Sequence, residues 1–98
     1  MADYYIKSVC YGGGSSIKEV KTSNALQSEP GTRRTRAEVV KDIDTYNKAV
    51  YTATKRSGVW YEGSRVNTVT VSGVKYLRTD RNSTARDNLG ELPEYTDC

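Results

Sequence analysis

The chain has 98 residues, 15 basic and 12 acidic for a net charge of +3, with no histidine, no phenylalanine and eight tyrosines. That length allows one domain with a small core, a chain of this size hiding roughly 65% of its extended surface on folding. Without histidine, catalytic triads and imidazole-ligated zinc or haem lose their usual residue, and no apolar run approaches the ~20 residues that span a bilayer.

Asp3–Tyr11 is rich in tyrosine and β-branched residues and reads as a first strand, with Ile17–Thr22 as its partner across the glycine-rich turn that begins at Gly12. Residues 23–34, which include Pro30 and Gly31, read as a surface loop. Thr35-Arg36-Ala37-Glu38 fits a capping box, and Val39, Ile43 and Tyr46 then recur at helical spacing, so a helix is predicted over 36–46. Lys48–Arg56 alternates as a third strand, Ser57-Gly58 is turn chemistry, and Val59–Tyr61 is a short fourth. The clearest signal is Val66–Val71, Ser72-Gly73 and Val74–Thr79, a two-residue hairpin that sets Val71 opposite Val74, Val69 opposite Tyr76 and Asn67 opposite Arg78. Beyond Asp80 the period is lost, and Leu89, Leu92 and Pro93 suggest an extended segment packed over the body. The expected fold is a single α+β domain over residues 1–98: a largely antiparallel sheet of about five strands, one helix on one face, and an extended C-terminal segment.

Leu, Ile and Val make up only 17 residues, so the tyrosines and Trp60 must supply much of the core. On that ground Tyr4, Tyr5, Tyr11, Tyr51, Tyr61 and Tyr76 are read as core rather than as stacking platforms for bases. Charge is divided along the chain. Residues 1–86 carry all 15 bases against eight acids, a net of +7, and residues 87–98 carry four acids and no base. The acidic end either folds back on the basic body or stays a solvating tail. Two cysteines do not make a disulfide framework, so Cys10 reads as a small buried hydrophobe and Cys98 as exposed, with a bridge between them the minority alternative. Met1-Ala2-Asp3 lacks the layout of a signal peptide, and a cytoplasmic location is expected.

The candidate binding residues are Arg33, Arg34 and Arg36 at the helix start, with Arg78 and Arg81 as extensions if they share its face. Cations oppose the dipole at a helix N-terminus, yet amides and guanidiniums converging there suit a phosphate or a carboxylate-rich partner. The competing reading is a solvated basic loop, or arginines that hold the acidic C-terminus. The run Asp80–Glu91 spaces oxygen side chains as a calcium loop does but has Ala85 where the template needs glycine, so no metal or cofactor is expected. The glycine run at 12–14 matches neither a dinucleotide fingerprint nor a P-loop. No carboxylate pair stands out as a tuned acid and base, and an enzyme is not expected.

Several segments together resemble a known family: Thr35-Arg36-Ala37-Glu38-Val39-Val40, Ser57-Gly58-Val59-Trp60, Val74-Lys75-Tyr76-Leu77-Arg78-Thr79-Asp80, Asp87-Asn88-Leu89-Gly90 and Leu92-Pro93-Glu94-Tyr95. The family is the domain of unknown function DUF3892, and the resemblance extends over about residues 3–95, departing in the glycine turn and the Ser23–Arg34 segment. It implies a small cytosolic domain of bacteria or their mobile elements, and no reaction or site residue. The expected function is a non-catalytic domain that binds another protein, a role a phage- or plasmid-encoded inhibitor would fit. The alternative is a nucleotide- or nucleic-acid-binding module using the arginines at the helix start.

Overall fold

The computed structural model describes residues 2–12, 16–79, 89 and 92–98. Its elements are β1 (Tyr4–Tyr11), β2 (Ile17–Ser23), β3 (Thr32–Thr35), α1 (Arg36–Asp44), β4 (Val50–Arg56), β5 (Val59–Arg65), β6 (Asn67–Val71) and β7 (Val74–Arg78). The five-stranded sheet has the order β3-β2-β1-β4-β5, and β6 and β7 form a separate two-stranded sheet. The fold is therefore α+β. The sheet is mixed rather than largely antiparallel, because β4 runs parallel to β1. The reason lies in the connection: β2, β3 and α1 intervene between β1 and β4, and a crossover containing a helix returns the chain in its original direction.

Period-2 alternation, reset by one residue at the register shift between Ile6 and Ser8, divides β1 between two cores. Tyr4, Ile6 and Val9 join Ile17, Val20, Val39, Val50, Val66, Leu77, Leu89 and Leu92 in the larger cluster. Tyr5 joins Ala53 and Trp60 in a smaller one on the opposite face, with Leu26 and Tyr51 packed against it. Tyr4 and Tyr5 are buried as expected of core tyrosines, but Tyr61 is 51% exposed and Tyr46 57% exposed. Tyr46 leaves the core because the helix ends earlier than its spacing suggests. Thr45 is the C-cap, and Asn47 adopts a left-handed φ of 52°, which turns the chain toward β4.

The capping box forms as the sequence indicates. Thr35 Oγ1 accepts from the Glu38 amide at 3.2 Å, and the Glu38 carboxylate accepts from the Thr35 amide at 2.8 Å. Both Ser-Gly turns also form. Ser57, Gly58, Ser72 and Gly73 all have φ between 51° and 80°, the backbone that suits a two-residue hairpin. The β6–β7 register matches the expected pairs, Val71 with Val74, Val69 with Tyr76 and Asn67 with Arg78. The strand at Val59 runs on to Arg65 through Gly63, where a Cβ would collide with Thr52 Oγ1 beside a register shift in β4.

Two further features depart from the sequence reading. Within the expected 23–34 loop, Thr32–Thr35 forms strand β3 on the edge beside β2. It carries no apolar residue, as an edge strand wetted on its outer side permits. The second is that Cys10 and Cys98 form a disulfide, their Cα atoms 6.4 Å apart.

Candidate functional site

β3 governs where the arginines go. Adjacent strand residues point to opposite faces, and Arg33 lies opposite Lys21 while Arg34 lies opposite Val20. Arg34 therefore turns to the helix side. Its guanidinium lies 4.2 Å from the centroid of the Tyr4 ring, donates to Thr22 Oγ1 at 3.2 Å and stands 3.7 Å from Asp42. Asp42 is buried and accepts from the Tyr4 hydroxyl at 2.8 Å, with Lys48 Nζ 3.7 Å away. Burial, and next the hydrogen bond to Asp42, push the Tyr4 hydroxyl well above its ordinary pKa. Arg36 reaches a third place: it donates to the Lys75 carbonyl oxygen and lies 5.3 Å from the centre of the Tyr76 ring. Arg78 is buried at the end of β7. Arg81, and the calcium-like run from Asp80, lie outside the described residues apart from Leu89. The structure thus brings neither Arg33, Arg34 and Arg36 nor Arg78 to one point.

Arg33 meets the C-terminal segment instead. Residues 93–95 lie beside β1 as a parallel bridge at Val9, with the Val9 amide donating to the Pro93 oxygen and the Tyr95 amide to the Val9 oxygen, both at 2.9 Å. The chain then crosses β2 toward β3. The Tyr95 hydroxyl donates to Glu19 at 3.1 Å, and its ring lies 4.4 Å from Lys21 Nζ and 5.6 Å from the Arg33 guanidinium. Arg33 donates to the Asp97 carboxylate at 2.8 Å and to its main-chain oxygen at 3.0 Å, and lies 3.3 Å from Glu19. Lys18 Nζ donates to the Cys98 oxygen at 3.2 Å, and Cys98 is bonded to Cys10 on β1. Of the two fates open to the acidic end, residues 92–98 take the folded-back one, and Arg33 is an arginine that holds it.

The charges are tuned accordingly. The hydrogen bond from Arg33 holds the Asp97 carboxyl below its usual range, and the same contact raises the Arg33 pKa. Burial, then the hydrogen bond to Glu19, raises the Tyr95 hydroxyl. Among the described residues, no group of three or more cysteine, aspartate or glutamate side chains is placed to hold a metal ion. No helix among them is long and apolar enough to cross a membrane.

The second exposed feature is the other edge of the sheet. Six of the seven residues of β5 are exposed, Trp60 alone being buried. Val59 (42% exposed) and Tyr61 (51%) stand two residues apart on one face of that strand. By contrast β3, at the opposite edge, is four residues long and carries two arginines, which is how natural sheets blunt an edge.

Sequence reasoning did not single out Lys21, Tyr95 or Asp97, and it held the pairing of Cys10 with Cys98 only as the minority alternative. The separation of charge into a basic body and an acidic end was the signal that pointed to them.

The fold and these surfaces define a small α+β domain with one mixed sheet and a tethered C-terminal strap. The chain belongs to the family described as Protein of unknown function (DUF3892), whose model matches residues 5–93. No curated protein and no solved structure matches it.

Proposed function

We propose that the domain is a non-catalytic interaction module that binds another protein by adding a strand at the β5 edge. The observation that carries this reading is β5 itself: a seven-residue edge strand with six exposed residues, Val59 and the Arg56-flanked Tyr61 standing partly exposed on one face. Such an edge offers main-chain donors and acceptors for pairing, apart from the amide and carbonyl oxygen of Trp60, which the Gln27 side chain holds at 3.1 and 2.8 Å, and side chains two residues apart for selectivity. An inhibitor encoded by a phage or plasmid is one role that would use such an edge. We place the domain in the cytoplasm, since two cysteines fall short of the disulfide framework of small secreted domains. The nucleotide or nucleic-acid alternative has less support, because Arg33, Arg34 and Arg36 are each engaged by different partners within the domain, Asp97, Asp42 and the Lys75 carbonyl oxygen respectively.

The test is affinity capture from nuclease-treated lysate with wild type, Val59→Lys/Tyr61→Lys and Arg33→Ala/Arg34→Ala/Arg36→Ala. One protein retained at equal stoichiometry by wild type and by the arginine variant, and lost by the β5 variant, is the expected result. Capture that the β5 lysines leave unchanged, or that nuclease abolishes, overturns the reading.

A further inference from the structure

Lys21 on β2 and Arg33 on β3 stand directly opposite each other across an antiparallel pair. Like charges at such positions repel, and they persist where something of opposite sign lies over them. Here that something is the strap. Tyr95 lays its ring against both cations, and Asp97 pairs with Arg33 in a two-point contact through its carboxylate and its main-chain oxygen. The strap also has backbone pairing with Val9, so its whole mode of attachment is that of an extended peptide bound to a sheet. Its contacts with Arg33 are exposed and exchangeable, the side chains of Arg33 and Asp97 being 45% and 68% accessible. What fixes it in place is the covalent bond from Cys98 to Cys10.

We propose that Lys21, Arg33 and the Val9 segment of β1 form a binding site for an extended acidic peptide, which the chain's own strap occupies until the Cys10–Cys98 bond is reduced. The ligand class follows from the occupant: an aromatic residue for the two cations, and an aspartate two positions later for Arg33. A small-molecule thiol is the reductant. Cys10 is 2% exposed and Cys98 is half-buried, so the thiolate attacks Sγ of Cys98. A mixed disulfide forms there, and Cys10 leaves as a thiolate that takes up a proton. A second thiol attacks the mixed disulfide and restores the Cys98 thiol. Two electrons and two protons have then passed to the protein, and the reductant leaves as its own disulfide. On the cytoplasmic placement proposed above, the bond is a latch, protein disulfides in a reducing compartment being characteristically transient.

The test uses the whole chain and a fluorescent peptide copying residues 92–97, followed by anisotropy. Oxidised wild type does not bind it, and reduction tightens binding at least tenfold. The freed strap still competes in cis at an effective concentration of about millimolar order. Reduced Tyr95→Ala/Asp97→Ala, whose strap has lost its grip, therefore binds severalfold tighter than reduced wild type. Lys21→Ala/Arg33→Ala loses at least tenfold, and Val59→Lys/Tyr61→Lys loses nothing, which separates this site from the β5 edge. In wild type, exchange of the Tyr95 amide quickens at least tenfold on reduction, a readout independent of any variant. Equal binding before and after reduction, no binding by any reduced form, binding that survives loss of Lys21 and Arg33, or an unchanged Tyr95 amide each overturns the proposal.

Discussion

Lys7 Nζ lies 4.3 Å from the centroid of the Trp60 ring, on the face of the sheet opposite α1. Lys7 is 1% exposed, and its ammonium donates to the carbonyl oxygens of Ala25 (3.2 Å), Leu26 (2.8 Å) and Ser28. A buried cation is stable only when its donors are filled, and here three carbonyls and an aromatic face fill them. The loop after β2 is therefore wound around a lysine rather than around an apolar plug.

Lys7→Met keeps the length and most of the volume but leaves those carbonyls without their donor. The expected cost is about 2–4 kcal/mol in urea unfolding, more than a volume-conserving core change usually brings. Amides of residues 24–29 should exchange faster even where the global fold survives. A variant as stable as wild type would mean that the loop closes without its cation.

Thr35 ends β3 and caps α1 at once. Thr35→Ala removes the oxygen that accepts from the Glu38 amide and should cost about 1 kcal/mol, a fall in Tm of roughly 4–8 °C for a domain of this size. Thr35→Ser keeps the oxygen and should recover most of the loss, which thermal unfolding of the two variants would show.

The pH profile follows from shifts of opposite sign. Glu29, Glu38 and Asp97 are held below their ordinary carboxylate values by hydrogen bonds from Lys55, Thr35 and Arg33 respectively. Asp44 is also held low, burial opposing the shift but hydrogen bonds from Lys75 and Thr68 outweighing it. Groups with depressed folded values stabilise the protein above the unfolded pKa, and that stability is lost as pH falls through the folded one. At the alkaline end, burial raises Tyr4, Tyr5 and Tyr95, whose contribution is complete below their ordinary value of 10.0 and is lost as pH climbs past it. Lys7, lowered from 10.5 by burial, works the other way, its cost easing as pH rises, but it is one group against three. The urea midpoint should be flat between about pH 5 and 9 and fall on both sides, the acid limb shallower in high salt because most of these carboxylates are exposed.

How much of this was legible in the sequence varies with the physics of each element. The capping box and the Ser72-Gly73 hairpin are local, so residue types and spacing are enough to specify them. β3 is not legible in the sequence because Thr-Arg-Arg-Thr has no apolar alternation, and its strand state is imposed by β2 rather than by its own preference. The apolar period runs two residues past the end of the helix, because Tyr46 keeps the spacing while Asn47 turns the backbone away. Lys7 was hidden inside a strand pattern in which a lysine ordinarily faces water. The arginines were seen as a cluster along the chain, but strand alternation separates Arg33 from Arg34. The contact of Arg33 with Asp97 spans 64 positions, which only the folded chain can close.

Tyr4, Asp42 and Arg34 join β1, α1 and β3 on the helix side of the sheet, and they act as a unit. Tyr4→Phe removes the donor that Asp42 receives at 2.8 Å while keeping the ring that Arg34 covers. A hydrogen bond to a charged group contributes about 1.5–3 kcal/mol, so this variant should lose a comparable amount. Asp42→Asn keeps an acceptor for Tyr4 but weakens the attraction for Arg34 and Lys48, each 3.7 Å away. If the hydroxyl and the carboxylate are coupled, the double variant costs less than the sum of the two single ones by about 1 kcal/mol or more. A Tyr4→Phe variant as stable as wild type would instead mean that Asp42 is held by its two cations alone, and that the tyrosine contributes only the buried ring.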